Sequence, residues 1–225
     1  LAQDAYNDER VTAHFDKKVW VCVSDPFDEI KIAKAIIESL VGTPNSSNEL
    51  EILLQCIKTH IENHIENRKL LLVLDDVWTE DETKWENLKL PIIMQSCEEG
   101  SSILVTTRKQ EVAKIMRATN NMIHLDELNY KDCLALFNSI AFLDRDEDEA
   151  DELGDIGKKI VKRCKGLPLA AKTLGSLVWY KKTRKEWEDV LKSEIWELEK
   201  VEQHVFRPLL LSYYDLAPAV KRCLL

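Results

Sequence analysis

The chain has 225 residues, 45% of them hydrophobic and 32% charged, a mixture that can bury one large or two small cores and argues against bulk disorder. Its net charge of −9 argues against a nucleic-acid partner, since the basic run Lys181-Lys182-Thr183-Arg184-Lys185 reads as a solvated helix junction. The six cysteines, Cys22, Cys56, Cys97, Cys133, Cys164 and Cys223, are widely spaced without a C-x-x-C pair and read as reduced thiols; with no apolar run of bilayer length and no signal peptide, a cytoplasmic protein without a transmembrane segment is expected.

Leu1 is not an initiator Met, so the stretch reads as an internal piece of a longer chain. Residues 1–10 suit a helix tail followed by a loop near His14-Phe15. The β-branched and aromatic run Val19-Trp20-Val21-Cys22-Val23-Ser24, closed by Asp25-Pro26, predicts a strand and a turn. From Asp28 the period changes, and Ile30, Ala33, Ile36, Ile37, Leu40 and Val41 predict a helix. Ser46 and Glu49 have capping-box spacing before a second helix with Leu50, Leu53, Leu54, Ile57, Ile61 and Ile65 on its apolar face. His60 and His64 share a face of it, but no third ligand accompanies them and a metal site is rejected.

Leu70-Leu71-Leu72-Val73-Leu74-Asp75-Asp76-Val77-Trp78 follows, an apolar strand ending in two carboxylates. A short helix around Trp85 and Leu88 should stop near Pro91, and Ser102-Ile103-Leu104-Val105-Thr106-Thr107 is a third buried strand ending at Arg108. A helix over residues 112–116 and a short strand, Met122-Ile123-His124-Leu125, complete an alternation that argues for a parallel α/β sheet. After Leu128 the strands stop. Helices are predicted from Asn129 (Leu134, Phe137, Ala141), over Leu153, Ile156, Ile160, Val161 and Cys164, from Pro168 (Ala171, Leu174, Leu177, Val178), over Trp187, Val190, Leu191 and Ile195, and over residues 203–214. The acidic stretch 144–155 reads as an exposed loop leading into a helix. Trp20, Trp187 and Trp196 read as core anchors.

A strand without polar alternation is covered on both faces, and ligands of such sheets bind beyond the carboxyl ends of the strands, where Asp75 and Asp76 lie. Nucleoside triphosphatases use one carboxylate there for Mg²⁺ and often a second to orient water. Their other half, a Gly-rich loop with Lys and Ser or Thr, is absent: the six glycines are scattered and none lies in a G-x-x-x-x-G-K-[ST] run. Taken singly, Asp75 and Asp76 also suit a turn after a strand, Arg108 a surface ion pair, and Pro168 the first turn of a helix.

Five segments in order resemble the NB-ARC domain of plant disease-resistance proteins, of the class with an N-terminal coiled coil and C-terminal leucine-rich repeats. They are Phe15-Asp16-Lys17-Lys18-Val19-Trp20-Val21-Cys22-Val23-Ser24, the strand from Leu71 to Trp78, the stretch from Gly100 to Arg108, that from Leu125 to Phe137, and Cys164-Lys165-Gly166-Leu167-Pro168-Leu169-Ala170. The resemblance implies a P-loop NTPase-like α/β sheet lacking its first strand over residues 1–128, a helical ARC1-type subdomain over 129–200, and the start of a winged-helix ARC2-type subdomain over 201–225. It implies ADP or ATP with Mg²⁺ as ligands of the complete parent, Asp75 as the Mg²⁺-associated carboxylate, Asp76 as the residue assisting hydrolysis, and Arg108 as the sensor of the γ-phosphate. Pro168, in the turn Gly166-Leu167-Pro168-Leu169, resembles the residue that packs on adenine, with Gly166 and Leu169 in the same pocket.

The family's phosphate loop would lie just before Leu1 and its Met-His-Asp motif beyond Leu225. The parent would be a slow ATPase switch in an intracellular immune receptor, partnered by its own coiled-coil and leucine-rich-repeat domains, by a pathogen effector or a guarded host protein, and by further copies on activation. A housekeeping ATPase related to AAA+ machines and a degenerate interaction module are the competing readings. Loss of the strand before the phosphate loop should leave the strands contiguous in the order 19–24, 70–75, 103–107. The last of these should then have an unpaired edge, or residues 122–125 should be drawn across to fill it.

Overall fold

The computed structural model describes residues 1–23, 26–118 and 121–193, together with Tyr213. Two helices, α1 (Ala2–Asn7) and α2 (Glu9–His14), precede the first strand, where the sequence pattern predicts a helix tail and a loop. The break is at Asp8, whose extended backbone (φ −62°, ψ 135°) leaves the helix while its carboxylate accepts the Arg10 N–H at 2.8 Å and so caps α2. Strand β1 (Lys17–Cys22) is joined to these helices by Trp20, edge-on to Tyr6 at 5.3 Å, and by the Lys18 ammonium, which donates to the Tyr6 carbonyl at 2.6 Å.

Helices α3 (Glu29–Val41) and α4 (Leu50–His64) lead to β2 (Leu70–Val77). Asp28 caps α3 by accepting the Lys31 N–H at 3.0 Å, and Gly42 ends it at φ +83°, a conformation that favours glycine. The Ser46–Glu49 capping box does not form. Glu49 is itself the N-cap of α4 without a side-chain bond, and Ser47 Oγ accepts the Glu49 N–H instead, at 3.2 Å. The predicted apolar faces are nevertheless the buried ones, because burial follows helical period and not cap chemistry: Ile32, Ile36 and Leu40 of α3, and Leu53, Ile57 and Ile61 of α4, are all buried.

Beyond β2, α5 (Glu82–Asn87) is followed at once by α6 (Leu90–Gln95). The helix around Trp85 does stop before Pro91, as expected, and Pro91 then stands in the first turn of a second helix, where its missing N–H has no helical partner to lose. Strand β3 (Ser102–Thr107) and α7 (Gln110–Ile115) complete this part of the chain.

The sheet is parallel throughout with strand order β1-β2-β3, in the register Val19↔Leu72 and Leu72↔Ile103. Its order is the one expected from sequence. Leu70 to Leu74 are buried in succession, which a strand needs cover on both faces to achieve. Among the described residues β3 pairs with β2 alone, so the sheet ends on an open edge. Residues 122–125 form no strand and do not fill it: Ile123 is 82% and Leu125 71% exposed, and without a partner ladder β propensity by itself does not hold a strand.

The chain divides into two compact units, Leu1–Ile123 and His124–Leu225. In the second, α8 (Tyr130–Ala141), α9 (Glu147–Cys164), α10 (Pro168–Trp179) and α11 (Arg184–Lys192) surround a core that includes Phe137, Ile156, Ile160, Leu174 and Trp187. Trp187 is fully buried, edge-on to Phe137 at 6.2 Å. Much of the acidic stretch 144–155 is helical, since Asp146 caps α9 by accepting the Glu149 N–H at 2.8 Å and acidic side chains favour a helix N-terminus. A capping box absent from the sequence reading joins Thr183 and Glu186 at the start of α11. Ile195, Trp196 and the predicted helix over 203–214, Tyr213 excepted, lie outside the described residues.

Arg145 ties the helix ends of this unit together. Its guanidinium, largely buried, donates to the carbonyls of Ala141, Val178, Trp179 and Lys181 at 2.6–3.3 Å, at and just past the C-termini of α8 and α10, where helices leave carbonyls short of donors. Five cysteines are described, all free. Cys22 and Cys56 are exposed, Cys133 and Cys164 buried, and burial with the neighbouring Cys133 thiol pushes Cys164 up to about 12. The thiolate is the nucleophile, so a buried thiol held neutral is inert. Under brief iodoacetamide treatment at pH 8, mass spectrometry should find Cys22 and Cys56 alkylated and Cys133 and Cys164 intact until denaturant is added.

Candidate functional site

At the carboxyl end of β2 the ladder to β3 loses its regular pairing. Leu74 pairs with Val105 and Val77 with Thr107, so Asp75 and Asp76 together face Thr106 alone, a β-bulge. A bulge releases backbone groups from the ladder, and two threonine hydroxyls take them up. Thr106 Oγ1 accepts the Asp76 N–H at 2.8 Å, and Thr107 Oγ1 donates to the Val77 carbonyl at 2.7 Å while accepting the Lys109 N–H at 3.0 Å. The local geometry also puts Asp76 at φ +55°, left-handed backbone that Asp tolerates better than most residues.

The two carboxylates have different surroundings. Asp75 is half-buried; its Oδ1 accepts the Thr106 hydroxyl proton at 2.5 Å, and its Oδ2 lies 3.9 Å from the Cys22 Sγ across on β1. Asp76 is exposed, and its Oδ1 is 3.7 Å from the Arg108 guanidinium. That guanidinium stands 4.6 Å from the centre of the Trp78 ring, a cation–π arrangement. Both partners of the ion pair are solvent-facing, so the pair itself adds little stability and leaves Arg108 free to exchange it for a better anion. Asp75, Asp76 and Arg108, named from sequence, thus stand together at one sheet end. Thr106, Trp78 and Cys22 belong to the same cluster and were not singled out as site residues; the available signal was a Thr pair ending the strand beside the one that ends in carboxylates.

Among the described residues no three His, Cys, Asp or Glu side chains gather as metal ligands, and the His60 and His64 rings stack at 4.7 Å. The donor set at Asp75 does fit Mg²⁺. This ion takes hard oxygen ligands, keeps several waters, and is commonly held by one or two carboxylates with substrate phosphates completing its shell.

The remaining predicted residues lie in the second unit. α9 ends in two consecutive left-handed residues, Lys165 (φ +48°) and Gly166 (φ +76°), so the turn starts one residue before the glycine. Gly166 is held tightly: its carbonyl accepts the Leu128 N–H at 2.8 Å, and a Cβ there would lie 2.5 Å from the Leu128 carbonyl oxygen. Pro168 opens α10, and both it and Leu169 are exposed. A cavity of about 310 Å³ beside this turn is lined by Leu128, Tyr130, Cys133, Val161, Lys162, Lys165 and Gly166, without Pro168 or Leu169.

A parallel sheet whose central strand ends in paired carboxylates beside a strand ending in arginine defines a P-loop NTPase-like nucleotide-binding fold. The NB-ARC domain family model matches residues 1–147, and the chain belongs to that nucleotide-binding family. Among curated relatives it is 41% identical over 223 residues to Disease resistance protein RGA2 of Solanum bulbocastanum, covering 99% of this chain and 22% of that protein. It is 43% identical over 223 residues to Putative disease resistance protein RGA4 of the same species, again 99% and 22%. Against Putative disease resistance RPP13-like protein 1 of Arabidopsis thaliana the identity is 40% over 223 residues, 99% of this chain and 21% of the relative. The chain therefore spans about a fifth of the length of these relatives.

Gly166→Ala should destabilise the helical unit by about 2–3 kcal/mol, because it places a side chain in left-handed backbone and against a carbonyl oxygen. Denaturant unfolding followed by circular dichroism checks this. Lys165→Gly, which relieves positive φ without adding an atom, should be neutral or stabilising.

Proposed function

We propose that the chain is the central nucleotide-binding switch module of an intracellular plant immune receptor mediating defence against pathogens. The ADP-bound form would be closed, and the ATP-bound form open and self-associating. The cluster of Asp75, Asp76 and Arg108 at one sheet end carries this reading, on a chain of the NB-ARC family. The names of its relatives, all disease-resistance proteins, support the biological setting.

In this reading Asp75 would hold Mg²⁺ through Oδ2, the oxygen that Thr106 does not engage, and the ion when bound would supply neutralisation of phosphate charge. Asp76, exposed, orients the water that attacks the γ-phosphate. Arg108 leaves Asp76 for the γ-phosphate, since a phosphate offers its guanidinium a bidentate partner that one oxygen of Asp76 at 3.7 Å does not. Gly166 fixes the turn from which Pro168 and Leu169, both exposed, meet the adenine. The coiled-coil and leucine-rich-repeat domains of the parent restrain the switch, and an effector or a guarded host protein releases it. No helix among the described residues is long and apolar enough to cross a membrane.

The 225 residues contain no Gly-rich phosphate loop, which in such folds supplies most phosphate contacts. Calorimetry on this stretch alone should give no saturable heat with ADP or ATP; micromolar affinity would overturn the assignment of phosphate binding to residues outside it. In the full-length receptor, Asp76→Val should slow ATP hydrolysis by roughly a hundredfold and produce signalling without a pathogen, because the triphosphate persists when its water is not oriented. Asp75→Ala should instead weaken Mg²⁺-nucleotide binding. Wild-type turnover in the Asp76 variant would remove that residue's role.

A further inference from the structure

Thr106 hydrogen-bonds both carboxylate residues of the site, and its hydrogen-bonding capacity leaves it little choice of orientation. A hydroxyl has one proton and two lone pairs. Its oxygen accepts the Asp76 N–H at 2.8 Å, and its proton points to Asp75 Oδ1 at 2.5 Å. An ionised carboxylate is acceptor-only, so the N–H, hydroxyl and carboxylate form a chain with a single direction. One end anchors the backbone of Asp76 in its left-handed conformation at φ +55°; the other fixes the plane of the Asp75 carboxylate and occupies one of its oxygens.

We propose that Thr106 is a positioning residue: by holding Asp75 Oδ1, it leaves Oδ2, whose other neighbour is the weak Cys22 thiol donor at 3.9 Å, to face the Mg²⁺ of a bound nucleotide, and by holding the Asp76 N–H it fixes the backbone from which the second carboxylate projects. The proposal rests on the reading of Asp75 as the Mg²⁺-side carboxylate. A valine at 106 fills the same volume and keeps the strand but removes both bonds. It frees the Asp75 carboxylate to rotate and leaves the Asp76 N–H to water or to a relaxed bulge. A serine keeps the hydroxyl and loses only a methyl group.

The test uses the full-length receptor with a fluorescent ADP analogue, comparing wild type, Thr106→Val, Thr106→Ser and Asp75→Asn. The readout is the free Mg²⁺ concentration that half-maximally slows release of the analogue; release in excess EDTA, where Asp75 has no ion to hold, reports whether the site is folded. Thr106→Val should raise the half-saturating Mg²⁺ by roughly ten- to a hundredfold, as loss of a bond that orients a metal ligand does, with release in EDTA unchanged. Thr106→Ser should stay within about twofold of wild type, having kept the orienting bond. If Thr106→Val releases the analogue abnormally in EDTA, Thr106→Ala makes the same comparison. A wild-type Mg²⁺ midpoint in both hydroxyl-less variants, alongside a shifted midpoint in Asp75→Asn, overturns the role of Thr106 and leaves the site reading intact. A serine variant as impaired as the valine one assigns the effect to packing and also overturns it. An unshifted midpoint in Asp75→Asn overturns the reading of Asp75, and the positioning role with it.

Discussion

Two residues of β2 face one residue of β3, and the arrangement of Asp75, Asp76 and Arg108 at the sheet end depends on that mismatch. A regular ladder would alternate the side chains of Asp75 and Asp76 to opposite faces of the sheet, each inside a fully paired strand. The bulge instead interrupts the pairing, which resumes at Val77 and Thr107, turns Asp76 into left-handed backbone beside Arg108, and leaves Asp75 half-buried against Thr106. Bulges cost ladder bonds, and this one is tolerable because Thr106 and Thr107 return partners to the released backbone groups. The buried part of β2 from Leu70 to Leu74 limits slippage because the run is flanked by Lys69 and Asp75, and a shift by one residue would carry one of these charged side chains toward the core.

The helical unit solves a similar problem of unpaired backbone by other means. Four helices present C-terminal carbonyls that need donors. Arg145 supplies several from one side chain, lying largely buried against the Trp187 ring at 5.6 Å. At the end of α9 the solution is conformational: Lys165 and Gly166 turn left-handed, and Gly166 exchanges its side chain for a backbone bond to Leu128. The same turn delivers Pro168 to the start of α10, so this proline and the helix that carries it are placed by one close approach of two backbone segments. Cys133 and Cys164 pack beside it as small apolar groups, with burial raising both thiols.

Departures from the sequence expectations concentrate at element ends. The Ser46–Glu49 spacing is right for a capping box, yet the helix starts at Leu50 with Glu49 as its cap, while Thr183 and Glu186, with the same spacing, do form one. Spacing states that a cap is possible; where the first turn begins is set by how the helix must lie to bury Leu53, Ile57 and Ile61. Before Pro91 the predicted stop occurs, but the proline also opens a second helix that local pattern does not announce. Residues 122–125 have a strand's composition but no neighbouring strand, and strands, unlike helices, take their hydrogen bonds from elsewhere in the chain.

The amino-acid sequence alone determined what depends on local period and composition. The central strand is legible because five apolar residues in succession admit only two-sided burial, and the helix faces because 3.6-residue spacing survives any choice of cap. Asp75, Asp76 and Arg108 are legible because carboxylates and a guanidinium at strand ends are poor strand formers and good ligands. The register between β2 and β3, and with it the pairing of one threonine against two aspartates, was decided only in the folded protein. Thr106 is 30 and 31 residues from its partners, Trp78 reaches Arg108 across the sheet end, and Arg145 meets carbonyls more than 30 residues away. Contacts at such separations carry no local periodicity, and a hydroxyl in a β-branched run reads as a strand former until the neighbouring strand shows what it bonds.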